Sequence, residues 1–184
     1  MGYPYSSGDV LTAADLNGSF GMVHVGTYTA TDDALLDIDS VFTSQFDSYR
    51  MIVTFTRADG DIFVRFRSGG VTSTTGYQAV ITGLSSKGSA VNDAWSDFNE
   101  AYVTVTNFPS DVFRTAITCD VLRPYANSFT VITGTGTSYN TGGNYWHYNF
   151  GVTHSVTGQR DGIRIDTNGA LLSCKALVYG YNEG

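Results

Sequence analysis

The stretch Tyr49-Arg50-Met51-Ile52-Val53-Thr54-Phe55 decides the fold class. Tyr49, Met51, Val53 and Phe55 fall on one side of an extended chain, because successive side chains of a strand point to opposite faces. The same period of two returns along the chain. Ile62, Val64 and Phe66 alternate with Phe63, Arg65 and Arg67; Phe113, Thr115, Ile117, Cys119 and Val121 alternate with Arg114, Ala116, Thr118 and Asp120. Trp146, Tyr148, Phe150 and Val152 alternate with His147, Asn149 and Gly151, and Ile163 and Ile165 flank Arg164. Further strand candidates are Met22 to Thr29, Tyr77 to Thr82, Ala101 to Thr106, Ser128 to Gly134 and Leu171 to Tyr181. Ala58 to Asp61 reads as a hairpin turn. Arg67 to Thr75 and Gly134 to Asn144 read as surface loops, and a further loop is expected around Trp95 and Phe98. About ten strands with turn signals roughly every 8 to 15 residues predict an all-β fold, an antiparallel sandwich or barrel.

Composition agrees. Only 15% of the 184 residues are charged and 42% are hydrophobic, so the polar surface must come from Ser, Thr, Asn and Gly. Glu occurs only at Glu100 and Glu183, and Lys only at Lys87 and Lys175, which is unlike the surface of a helical protein. The formal charge of −7 and the scattered Lys and Arg argue against nucleic acid and anionic membrane as partners. No apolar run approaches the roughly 20 residues of a membrane-spanning helix. The N-terminus lacks the basic and apolar regions of a signal peptide, so synthesis without general export is expected. Cys119 and Cys174 sit in apolar strand-like runs and are expected to be buried free thiols, not a disulfide or a zinc site. No cofactor or metal is expected.

Residues 1–19 differ from the rest and are read as a docking segment ahead of a β-domain spanning 20–184. Thr12 and Asp15 have capping-box spacing and Gly18 suits a helix C-terminus, which predicts one short helix over Thr12 to Asn17. A helix that short is unstable alone. Its apolar residues Val10, Leu11 and Leu16 are therefore expected to dock on a partner, the alternative being its own domain.

The segment Gly8 to Asn17, GDVLTAADLN, resembles a stretch near the start of tail-fibre, tail-tip and head-fibre proteins of tailed bacteriophages. Ile38 to Arg50, IDSVFTSQFDSYR, is similar to the beginning of jelly-roll domains of such proteins, and Ile62 to Arg67, Gly69-Gly70 and Thr75 to Tyr77 continue that pattern. Together these cover about a third of the chain. The resemblance implies a jelly-roll-like sandwich, a homotrimer, a place in the virion after synthesis in the host cytoplasm, and contacts with other virion proteins or with host surface carbohydrate. It brings no catalytic residues. A capsid decoration protein or head fibre is the neighbouring reading, and a carbohydrate-active enzyme on a jelly-roll scaffold is the reading of another class. Lys and Pro, which guard sheet edges, are scarce, which also favours an oligomer.

No Gly-x-Ser-x-Gly elbow is present, and His24, His147 and His154 carry no flanking signature of a nucleophile triad. The carboxylate pairs Asp32/Asp33, Asp37/Asp39 and Asp59/Asp61 read as turn formers, against a glycosidase pair or a calcium loop. Aromatic residues carry the contact hypothesis, because their faces stack on sugar rings and anchor interfaces. Trp146 and Tyr148 are expected in the core, with His147 outward between them. Trp95, Tyr139, Tyr145 and His147 are the candidate ligand or interface contacts.

Overall fold

The computed structural model describes residues 21–58, 62–85, 90–100, 103–106, 112–140, 145–167 and 172–181. Every regular element among them is a β-strand and every pairing is antiparallel. In chain order they are β1 (Met22–Asp33), β2 (Leu35–Ile38), β3 (Ser48–Ala58), β4 (Ile62–Ser68), β5 (Val71–Thr72), β6 (Tyr77–Ser85) and β7 (Ala90–Glu100). There follow β8 (Val103–Thr106), β9 (Val112–Leu122), β10 (Thr130–Asn140), β11 (Tyr145–His154), β12 (Gly162–Asp166) and β13 (Leu172–Tyr181). The helix expected over Thr12 to Asn17, and the docking residues Val10, Leu11 and Leu16, lie outside the described residues.

The larger sheet has the order β1-β13-β3-β9-β10-β11-β6-β7; the smaller has β2-β12-β4-β5, with β8 also on β4. The alternating residues that define the strands become the inner faces. Tyr49, Met51, Val53 and Phe55 of the larger sheet join Ile38, Ile62, Phe66, Ile163 and Ile165 of the smaller in one buried cluster. Two sheets enclosing one core form a sandwich-like β domain.

Several local expectations are corrected. The hairpin expected over Ala58 to Asp61, of which 59–61 lie outside the described residues, does not pair its two strands: β3 pairs with β13 and β9, whereas β4 pairs with β12, β5 and β8. β3 and β4 belong to different sheets, whose inner faces cover one core from opposite sides. Gly134 to Asn140 continue strand β10, not a loop. Trp95 lies in strand β7, in register with Ala79. Alternation does not reveal either segment, since β7 is rich in Asn, Asp and Ser and Gly134 and Gly136 blank the inner positions of β10. Between β4 and β5 the chain turns through Gly69 and Gly70, with φ of 56° and 78°, as a two-residue hairpin with two left-handed positions requires.

The long edge strand β1 is interrupted by register shifts between His24 and Gly26 and between Ala30 and Asp33, with Asp32 at φ 48°. Such bulges twist an edge away from further pairing, a guard that residue types alone do not reveal. Cys119 and Cys174 are free and buried. Burial pushes their thiols up to about 12 and about 11, so neither is a ready nucleophile.

The outer face of the smaller sheet is laced with ion pairs. Arg164 binds Asp37 through Nε and Nη2 at 2.6 and 2.7 Å. Arg67 binds Asp39 at 2.7 and 3.1 Å, reaches Asp37 at 2.9 Å and donates to the Gly70 carbonyl at 2.6 Å. Asp37 is therefore a strand residue paired by two guanidinium groups, not a turn former. Arg67 crosses the sheet over Gly162, its partner in register, where an added Cβ would come within 2.5 Å of the Ile38 carbonyl. The hydrogen bonds from Arg67 hold the Asp39 carboxyl below its usual range.

Candidate functional site

Tyr139, Tyr145, His147 and Trp95 are the contact residues expected from the sequence. Tyr139 and Tyr145 face each other in register across the end of the β10–β11 hairpin, with ring centroids 4.8 Å apart at 46°. Tyr145 is 63% exposed, so the pair is a surface feature. His147 follows two residues later on the same face and is also exposed. Its partner across β6 is Leu84, 65% exposed. Tyr148 is fully buried and Trp146 packs against the core, with the two rings 6.2 Å apart and nearly parallel. The alternation Trp146-in, His147-out, Tyr148-in thus holds. Three of the four candidates share one outward face. Trp95 lies on the neighbouring edge strand β7, paired with β6.

Towards the middle of the same face lies a trough of about 440 Å³ that the sequence did not suggest. Its lining comes from β3, β9, β10, β11 and β6. Thr118, Thr135, Asn149 and Thr82 form one cross-strand row. Asp120, Thr133, Gly151 and Val80 form the next. Gly151 faces outward with nothing within 4 Å of an added Cβ, so the trough is open at that point. Gly134, on the opposite face of β10, has Thr118 O and Cys119 Cβ within 2.6 Å of an added Cβ. The signal that could have revealed this surface is Thr133-x-Thr135-x-Thr137, whose hydroxyls share a face once β10 is extended.

At one end of the trough Asp120 accepts from Arg50 Nε and Nη2, each at 2.8 Å, and from the Tyr181 hydroxyl at 2.6 Å. Arg50 and Asp120 are cross-strand neighbours in register. The Arg50 hydrogen bonds hold the Asp120 carboxyl below its ordinary range, and the same contact raises Arg50. The carboxylate is ionised and occupied, so it is a positioning element and not a free base. Among the described residues, no group of three His, Cys, Asp or Glu side chains could hold a metal.

A second polar cluster lies inside, around His154 at the far end of β11. The ring is fully buried. Arg160 Nε donates to Nδ1 at 3.3 Å, which leaves the proton on Nε2 for Thr75 O at 3.1 Å and Ser73 Oγ at 2.9 Å. Burial first and the Arg160 charge second push His154 down to about 4, against the opposing bond to Thr75. The cluster ties the segment after β11 to the β5–β6 connection.

Comparison with known protein families, with curated proteins and with solved structures finds no match.

Proposed function

We propose that this chain is a structural appendage protein of a tailed-bacteriophage virion, a jelly-roll trimer whose larger sheet presents its contact surface. The observation that carries the reading is the strand order. Setting aside β5, β6, β7, β10 and β11 leaves β1-β13-β3-β9 opposite β2-β12-β4-β8. Numbered one to eight along the chain, these run 1-8-3-6 over 2-7-4-5, the order of a jelly roll. The strands set aside include four that widen the larger sheet beyond β9. They carry Tyr139, Tyr145, His147, Leu84 and most of the trough. A contact surface placed on additions to a scaffold fits the rule that function resides in sites grafted on folds. The resemblance of Gly8 to Asn17 to appendage proteins supports the same reading, with Val10, Leu11 and Leu16 as the docking residues. Fully burying each of the three would contribute roughly 1.5 to 3 kcal/mol, and three copies in a trimer would add avidity.

The test is incorporation. A chain truncated to begin at Phe20 is expected to stay folded and trimeric by light scattering, yet to be missing from particles assembled with it. Normal assembly of the truncated chain, or a monomer in solution, contradicts the reading.

A further inference from the structure

The trough on the larger sheet has a chemistry of its own. One row offers the hydroxyls of Thr118, Thr135 and Thr82 and the amide of Asn149, groups that both donate and accept hydrogen bonds. Thr133 adds a hydroxyl from the next row. The charges at the end cancel, because Asp120 is bound through both oxygens by Arg50. That inventory suits neither of the common alternatives. A phosphate or nucleic acid needs uncompensated cations, and a wholly apolar ligand would cover Val80, exposed beside Gly151, but strand the hydroxyls and the amide. A neutral polyhydroxylated molecule matches it, since each of its hydroxyls also both donates and accepts.

The surroundings give the ligand a length. Gly151 and Tyr145 are six residues apart on the same face of β11, about 20 Å along the strand. Thr137 and His147 lie between, in register with each other. At the far end the Tyr139–Tyr145 pair offers the exposed aromatic faces on which sugar rings stack. We propose that the trough is a subsite for a neutral linear oligosaccharide. The chain of sugars runs along β10 and β11 from Gly151 to the tyrosine pair. This rests on the reading of the larger sheet as the contact surface and names the ligand class of that surface.

The experiment titrates the full-length protein with neutral hexasaccharides: an α-1,4-glucan, a β-1,4-glucan and a β-1,4-linked N-acetylglucosamine oligomer. Hexagalacturonate serves as the acidic control, with binding read by NMR shifts and calorimetry. Gly151→Trp fills the trough from a position with open space above it, and Thr135→Ala and Asn149→Ala remove single partners. The expected result is binding of at least one neutral hexasaccharide, weakened at least about tenfold by Gly151→Trp and about three- to tenfold by each alanine. Tyr145→Ala is expected to weaken the hexasaccharide and leave the corresponding disaccharide unchanged, which loss of fold would not do. Three results would overturn the proposal: no neutral hexasaccharide bound by the wild type, only hexagalacturonate bound, or equal binding by Gly151→Trp and both alanine variants. A change of oligomeric state on Gly151→Trp without any saccharide binding also overturns it and makes this face a contact between copies. Absence of the chain from purified virions refutes the appendage reading alone. A virion-borne chain whose variants all bind saccharide like the wild type refutes the trough alone.

Discussion

The smaller sheet turns Asp37, Arg164 and Arg65 outward in one row and Arg67 outward in the next. The larger sheet, at corresponding outward positions, turns out Thr118, Thr135, Asn149 and Thr82. Both faces are polar, but their bonding capacity is used differently. On the smaller sheet, the Arg67 and Arg164 guanidinium forks bind the Asp37 and Asp39 carboxylates, and Arg67 is only 5% exposed. Little is left for a partner to bind, and the network serves as a clamp on the sheet. On the larger sheet, the hydroxyls and amide line an open trough where water is their ordinary partner. Exchanging water for a ligand hydroxyl costs little. In a chain with so few charges, the contrast separates a surface that holds the fold from one suited to recognition.

Removing a member of the clamp should give the largest stability effect. Arg67→Ala is expected to cost about 2–4 kcal/mol, because Asp37 and Asp39 lose their shared partner and the Gly70 carbonyl loses its donor. The denaturant midpoint reports it, and Arg67→Lys should recover only part, since an ammonium lacks the fork. A loss below about 1 kcal/mol would erase the distinction between the faces.

The equivalent change on the larger sheet should cost far less. Arg50→Ala removes a single ion pair whose members are 35% and 27% exposed, and the expected loss is about 0.5–1 kcal/mol. A cost equal to that of Arg67→Ala would show that the Arg50–Asp120 pair is a second clamp.

Acid distinguishes both faces from the interior. His154 has a folded pKa below its unfolded value of 6.5, about 4. The folded state then binds fewer protons than the unfolded chain in between, and stability falls as pH drops from about 6.5 towards 4. Asp39 and Asp120, whose folded values are also lowered, contribute stability that is lost only at lower pH, as their carboxylates take up protons. His154→Gln, which keeps a side chain able to hydrogen-bond, should flatten the limb between pH 6.5 and 4 and leave the lower one. An unchanged upper limb in chemical denaturation across pH would remove His154 as its source.

The smallest effect is expected at Thr135→Ala, within about 0.5 kcal/mol, as for an exposed residue outside any network. Paired with the roughly three- to tenfold weaker saccharide binding expected of the same variant, it sharpens the contrast. A cost above about 1 kcal/mol would mean that the threonine row also holds the sheet together.

Much of the fold was legible because a strand records its own faces. His147 reads as outward because Trp146 and Tyr148 are large and apolar, and the structure places all three so. Cys119 and Cys174 read as buried because their strands are apolar. The role of Asp37 is not legible in the sequence, because a carboxylate near a turn looks the same whether it caps the chain or pairs with an arginine 127 residues away. Trp95 reads as a loop residue because Asn92, Asp93, Ser96, Asp97 and Asn99 around it are turn formers and poor strand formers. Tyr139 and Tyr145 read as exposed aromatics near one another in sequence, and the β10–β11 register makes them a facing pair.

By itself, the sequence determined the all-β class, the inward side of most strands and the small number of charges, since each depends on residue type and a local period of two. The sheet that each strand joins was decided by tertiary structure alone. So were the four strands widening the larger sheet, the arginines crossing the smaller one and the open position at Gly151. These depend on which strands become neighbours. That is settled by burying every inner face against a single core, and no local stretch of chain records it.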